Sequence, residues 1–373
     1  MIEIVHSPLY RWDAWYGAPQ GNYGIVGRTV NADLSPSRWH YRLPFFAKVL
    51  GPNNVSINGD SDAVMDAEVA YAHNYGIDFW AFCAYPIGCS NYNPPASDCP
   101  YIQCCADNYA LSYALLRYLS KPARSVAFSL ILQYNWFPGC DHGSNETLEE
   151  EIARYISYFK MPNYQRVAGG RPIVFLFGGD AKTNGPALAA LHKATIADGL
   201  PPPYYVYMGN DARSAAASAA SLNASAISRY VSVRDWTSAA ASFSLNMQFE
   251  EQFWADARSI GIDVVPPISA GWDPRPRFDY PVPWGPPQPQ CGPVGEEKCY
   301  TQDPTMNQLT DLTAAAINFT ISYPKATPAR AVIVSAWNEH DEGHWIAPSL
   351  QDGPVKLEAI RKGVQRLSEA GRN

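Results

Sequence analysis

The chain has 373 residues, 47% of them hydrophobic and only 17% charged, with a formal net charge of -7. That composition excludes global disorder and supplies a sizeable core, and a length of this order accommodates one large barrel domain. The acidic balance, with no cluster of Lys and Arg, argues against a nucleic-acid partner, and no apolar run is long enough for a membrane span.

In chain order the pattern alternates short apolar runs with amphipathic stretches. A strand is expected within Ile2 to Tyr10, then a helix from Asp62 to Tyr75 ended by Gly76, and a buried strand from Ile77 to Ala84. Further units follow: helix Asn108 to Leu119, strand Ser125 to Gln133, helix Glu146 to Lys160, strand Pro172 to Phe177, helix Pro186 to Asp198. The last four units begin with strands Tyr204 to Met208, Ala226 to Val231, Ile262 to Ile268 and Ala331 to Ala336. Their helices are expected at Asp211 to Leu222, Met247 to Ile260, Thr305 to Ser322 and Val355 to Ala370. Continuous apolar strands are what a parallel sheet covered by helices requires, and eight strand–helix units in one chain predict a closed (β/α)8 barrel spanning residues 1–373 as a single domain. The alternative is an open doubly wound sheet, which usually carries a Gly-rich phosphate turn after its first strand; none is present. Two long loops, about Tyr85 to Asp107 and Gly271 to Asp303, both follow strands and so belong to the C-terminal face, where barrel active sites are built.

Eight cysteines, Cys83, Cys89, Cys99, Cys104, Cys105, Cys140, Cys291 and Cys299, form no zinc-ligand spacing. Disulfides and an oxidising, extracellular location are expected instead, with Cys291 and Cys299 able to close a small loop. Sequons at Asn54, Asn145, Asn223 and Asn318 point the same way, although no signal peptide is visible after Met1. No metal or other cofactor is expected.

The strongest local signal is Ala331-Val-Ile-Val-Ser-Ala-Trp-Asn-Glu-His-Asp-Glu-Gly-His344, an apolar strand running directly into Glu339, Asp341 and Glu342. Like charges so close cost stability unless something compensates. One compensation is function: neighbouring carboxylates raise one another's pKa, and a glycosidase needs one protonated and one ionised carboxyl group. The bland alternative is a solvated acidic loop closing a strand. Tyr16, Tyr85, Trp136 and Trp272 fall at expected strand ends, where flat rings can stack on sugars or simply pack the core. Asn135, Asp273 and Asn338 could bond hydroxyl groups or satisfy loop backbone. His340 and His344 could tune the acids, and Trp337 belongs to the same turn.

The turn Trp337-Asn-Glu-His-Asp-Glu-Gly343 resembles the W-N-E-x-x-E-G signature of family 99 glycoside hydrolases and their WbsX-like relatives. Other segments agree in order: Trp15-Tyr-Gly-Ala-Pro19, Tyr75-Gly-Ile-Asp-Phe79, Asn135-Trp136, Pro162-Asn-Tyr164 with Gly170-Arg-Pro172, and Gly271-Trp-Asp273 with Pro276-Arg277. The resemblance implies a (β/α)8 hydrolase of α-linked, α-mannan-like glycans that retains anomeric configuration; endo action is expected because the two long loops could frame an extended cleft. It implies Glu339 as base toward a sugar 2-hydroxyl and Glu342 as general acid/base. The chain departs from the family in having His340-Asp341 between the two glutamates and Gln133-Tyr-Asn135 where a substrate-contacting segment is expected. An α-1,3-glucanase, a non-catalytic glycan-binding barrel and, third, a glycosyltransferase therefore stay open, all with an oligosaccharide or polysaccharide as partner.

Overall fold

The computed structural model describes residues 3–6, 31–59, 61–84, 114–121, 124–133, 146–232, 240–279 and 299–370. Eight parallel strand positions carry the fold: β1 Glu3–His6, β2 Phe79–Ala84, β3 Ala127–Gln133, β4 Arg171–Phe177, β5 Tyr204–Met208, β6 Ala226–Ser228, β7 in two pieces, Asp263–Val264 and Pro267–Ser269, and β8 Ala331–Ser335. β1 pairs with β2 on one side and β8 on the other. The first piece of β7 pairs with β6, and its second piece with β8, so the sheet closes on itself as a (β/α)8 barrel. The interruption in β7 falls at Pro266-Pro267, two residues with no N–H to give to a neighbouring strand. The Pro266 carbonyl still accepts from the Ile333 N–H at 3.0 Å, which holds the break in register.

Strand side chains alternate between two apolar layers, as the two-residue period requires. Phe79, Ala81, Ile131, Ile173, Phe175, Val206 and Ile333 fill the barrel interior. Trp80, Phe82, Leu130, Leu132, Val174, Leu176, Val332 and Val334 face the helices. Both layers being buried explains why the strands read as unbroken apolar runs.

The helices follow the strands in turn: α1 Asp62–Asn74, α2 over 114–119, α3 Leu148–Lys160, α4 Ala181–Ala197, α5 Ala212–Ser221, α6 Phe243–Ile260, α7 Met306–Ser322 and α8 Val355–Ala370. Local chemistry starts most of them. Thr147 with Glu150, and Thr305 with Gln308, form capping boxes. Ser61, Asp180, Asp211 and Ser242 cap their helices through side-chain oxygens. Gly76, at φ 82°, lets the chain leave α1 toward β2. None of the helices, among the described residues, is long and apolar enough to cross a membrane.

Three expectations are corrected. Helix α4 starts five residues before Pro186, because Asp180 accepts from the N–H groups of Lys182 and Thr183 and so sets the first turn; Pro186 lies inside the helix. Strand β6 stops at Ser228 rather than Val231. The chain turns there to bury Arg229, which lies between the rings of Phe249 and Phe253 and donates to the Asn210 carbonyl at 2.8 Å. Cys83 is a buried thiol at the end of β2, not half of a disulfide. The hairpin Lys48–Gly51/Asn54–Ser56 and the 3-10 turn Ser37–Arg42, both on the path from β1 to α1, had no clear periodic signal.

Candidate active site

Strand β8 delivers its acids through a tight, self-bonded turn. The chain leaves Ser335 by a cis peptide, and the Ala336 N–H donates to the His344 carbonyl at 2.6 Å while the His344 N–H donates to the Glu339 carbonyl at 3.2 Å. The loop after β7 lies against this turn. Ala270 donates to the Ser335 carbonyl at 2.9 Å and Asp273 to the Glu342 carbonyl at 2.6 Å. Such contact demands glycine on both sides. A Cβ on Gly271 would stand 2.5 Å from the Gly343 carbonyl oxygen, and one on Gly343 would stand 2.6 Å from the Asp273 nitrogen, at φ +77°. Gly343→Ala is therefore expected to destabilise the fold by about 1–3 kcal/mol, combining overpacking with backbone strain. Thermal unfolding measures this, and an unchanged midpoint would mean that the two loops are not so closely joined.

Beyond Asp273 a short helix, Arg275–Asp279, aims Arg277 at the acids. Its Nε donates to Asp341 at 2.6 Å, one terminal nitrogen donates to Glu342, and the other lies 3.6 Å from Glu339. His344 Nε2 meets the second Glu342 oxygen at 2.8 Å. One cation thus faces three carboxyl groups, and the two glutamates experience it differently. Burial and then the charge of Glu342 push the Glu339 carboxyl well above the usual range, against the opposing pull of Arg277. For Glu342, burial acts in the same direction but is outweighed by Arg277 and His344, which hold it down at about 2. Glu339 is 1% exposed and its Oε1 has no hydrogen-bond partner among the described residues. These surroundings therefore favour the proton on Glu339 and the charge on Glu342.

Oxygen atoms of Glu339 and Glu342 and a ring nitrogen of His344 lie within 4.8 Å of one another. A divalent cation placed there would stand beside the Arg277 charge, so the set suits proton exchange better than metal ligation.

The other expected site residues divide. Trp272 lies in the site, its ring centroid 5.3 Å from that of His344. Trp337 does not face it: the indole sits in the helix-facing layer, 5.1 Å from Trp80, and donates to Glu68 on α1 at 3.1 Å. Asp273 is committed to Arg42 and Arg275; burial alone would raise its carboxyl, but the two guanidinium groups hold it below the usual range. His340 stacks on Trp345 at 5.4 Å and its Nδ1 donates to the Arg42 carbonyl; burial pushes it down to about 3, leaving the ring neutral. Asn338 is buried in the same turn. Asp273 and His340 thus brace the loops under the acids. Tyr16, Tyr85, Asn135 and Trp136 lie outside the described residues. Sequence reasoning did not single out Tyr230, which stacks on Phe177 at 4.1 Å and stands 6.5 Å from His344, half-buried beside the acids. Its only sequence signal was a position just after β6.

No family model matches this chain, and neither does any curated protein. Among solved structures it is similar to an endo-alpha-mannosidase of glycoside hydrolase family 99 from Bacteroides thetaiotaomicron. With that enzyme bound to bis-tris propane the TM-score is 0.57 at 13% identity, covering 100% of this chain and 99% of the other. A second structure of the same enzyme gives 0.57 at 14% identity with the same coverage. At these identities the likeness bears on the fold, and it agrees with the barrel derived above. A family 5 mannosidase from Rhizomucor miehei also matches, with a TM-score of 0.41 at 10% identity over 84% of this chain and 89% of that one.

Proposed function

We propose that this barrel is a glycoside hydrolase that cleaves an α-linked, α-mannan-like glycan with retention of configuration, using Glu339 and Glu342. One observation carries the reading: two carboxyl groups side by side at the C-terminal end of β8 whose surroundings pull them apart, burial and the neighbouring charge raising Glu339 while Arg277 and His344 lower Glu342. Glycosidases need such a division of proton and charge. The closeness of the carboxyl oxygens, within 4.8 Å, supports retention, because an inverting pair stands farther apart to admit a water molecule. The α-mannan class and endo action are supported by the fold shared with an endo-alpha-mannosidase, and endo action also by the two long loops that the sequence leads one to expect after β2 and β7.

The resting charges favour Glu339 as the acid that protonates the departing oxygen and Glu342 as the base. That reverses the order implied by the family motif. A carboxylate whose two oxygens already accept from Arg277 and His344 has no proton to give. An oxidising, extracellular location is part of the proposal; Cys299, which is disulfide-bonded, supports it.

The test is digestion of a panel of α-mannans and α-1,3-glucans, read by mass spectrometry, with the Glu339→Gln/Glu342→Gln double variant as control. Cleavage of a mannan by the wild type alone is the expected result, and the anomer formed first, followed by NMR, checks retention. Cleavage of α-1,3-glucan instead would move the substrate class. Binding without cleavage across the whole panel would replace the enzyme by a glycan-binding barrel.

A further inference from the structure

The turn that carries the acids is clasped by a segment outside the strand–helix repeat. The 3-10 turn Ser37–Arg42 runs straight into a stretch that pairs with the chain beyond the acids. The Phe45 N–H donates to the Pro348 carbonyl at 3.0 Å and the Leu350 N–H to the Leu43 carbonyl at 2.7 Å, with Pro44 bridged to Ser349. Arg42 stands at the entrance of this stretch, fully buried. Its guanidinium lies among the rings of Trp39 at 4.7 Å, Tyr41 at 5.3 Å and Trp345 at 5.6 Å. All three of its nitrogens are engaged. Nε donates to the Tyr41 hydroxyl at 2.9 Å, one terminal nitrogen donates to the Asp273 carbonyl at 2.7 Å, and the other donates to the Asp273 carboxylate. The Arg42 carbonyl accepts from the ring of His340, the residue between Glu339 and Asp341. Asp273 passes this grip on in two directions. Its N–H donates to the Glu342 carbonyl at 2.6 Å. Its carboxylate accepts from the Arg275 N–H at 3.3 Å and from the Arg275 guanidinium at 2.7 and 2.8 Å, which fixes the start of the short helix Arg275–Asp279 that carries Arg277.

We propose that Arg42 is a positioning residue of the active site, holding the helix of Arg277 in register with Glu339 and Glu342 by clamping Asp273 and His340 at once. The proposal rests on the reading of Glu339 and Glu342 as the working pair. Register matters because the contacts are short. Arg277 places Nε 2.6 Å from Asp341 and one terminal nitrogen on Glu342, with the other 3.6 Å from Glu339. A slip of about 1 Å is enough to exchange those contacts, and a misplacement of that size costs about 10²-fold in rate. The side chain suits the task. A planar guanidinium meets the carbonyl and the carboxylate of one residue in a fixed geometry, whereas an ammonium supplies the charge without the fork. If Arg42 only filled space, its replacement would lower stability and leave the folded molecules with the wild-type division of proton and charge.

The experiment compares the wild type with Arg42→Lys, each checked for folding by circular dichroism. Carbon-13 carboxyl labelling of glutamate follows Glu342 by NMR between about pH 4 and pH 8, its resonance assigned by its loss in Glu342→Gln. Glu342 is faced by Arg277 from the short helix, by His344 from its own turn and by Glu339 beside it. With Arg277 out of register, His344 is left to oppose burial, so the Glu342 carboxyl should rise. The wild-type resonance is expected to remain that of a carboxylate throughout, and the Arg42→Lys resonance to titrate within the range. On the glycan identified by the panel, kcat should fall by about 10²-fold with KM little changed, and an acid limb that the wild type lacks should appear in kcat/KM. A folded Arg42→Lys protein with the wild-type resonance and the wild-type pH profile overturns the proposal, whatever its unfolding midpoint. Should Arg42→Lys fail to fold, Asp273→Asn takes its place. It keeps the backbone bonds of the loop and weakens the carboxylate's hold on Arg42 and Arg275, so the same shift of Glu342 is expected, and an unshifted Glu342 overturns the proposal. The NMR readout needs no substrate, so a panel without cleavage would end the hydrolase reading and leave this result distinguishable.

Discussion

Glu339→Gln is expected to lower kcat/KM on the natural glycan by about 10²–10⁴-fold, the usual loss when a general acid is removed, and to recover most of it on a dinitrophenyl glycoside of the same sugar. The reason lies in where the proton rests. Glu339 is almost fully buried, has one oxygen without a partner among the described residues, and feels the Glu342 charge within 4.8 Å, all of which favour its neutral form. An acid in that position matters only while the departing oxygen needs a proton, and a dinitrophenolate does not. Glu342→Gln should lose a similar factor but recover nothing on the activated substrate, because a missing base is not replaced by a better leaving group. The opposite pattern, with Glu342→Gln recovering, would restore the role order of the family motif. Full activity of both variants on both substrates would end the hydrolase reading. The pH dependence carries the same signs: with Glu342 held at about 2, its protonation does not limit activity in mildly acid solution, whereas loss of the Glu339 proton limits it on the alkaline side.

Much of the barrel was legible because its signals are local. The β2, β4 and β8 runs are apolar at successive positions since both faces are covered, and Thr147, Thr305 and Asp211 mark helix starts by their own hydrogen bonds. The acids of β8 were legible for a related reason: Glu339, Asp341 and Glu342 crowd one turn, and crowding is visible in one dimension. What could not be read were contacts that exist only after folding. Arg277 reaches residues more than 60 positions away. The direction of Trp337 depends on Trp80 and Glu68, which meet it from β2 and α1. Asp273 and His340 sit in the right place but are spent on Arg42, a residue in a 3-10 turn with no periodic signature. Pro186 misled because proline is favoured in first turns, while the competing cap at Asp180 had the stronger local chemistry.

Arg277→Met should be the most damaging single change for the fold as well as for activity. The side chain is close in volume but carries no charge, so Asp341 and Glu342 are left buried together without their cation. Removing one partner of a buried ion pair typically costs about 3–5 kcal/mol, since the remaining charge stays desolvated. The cost should depend on pH with a definite sign. In the wild type Glu342 is held at about 2, below its ordinary 4.5, so its contribution is fully present above 4.5 and is lost as pH falls toward 2. Without Arg277 most of that depression is lost and His344 alone opposes burial, so the variant binds protons more readily when folded and loses least in acid. Urea unfolding should therefore show a large deficit at pH 7 that shrinks by pH 4. Arg277→Lys separates charge from geometry. A single ammonium restores part of the stability but cannot bridge Asp341 and Glu342 as the planar guanidinium does, so its activity should stay low. A deficit equal at both pH values would mean that Arg277 contributes by packing, and a fully active Lys variant would mean that its forked geometry does not hold the proton division in place.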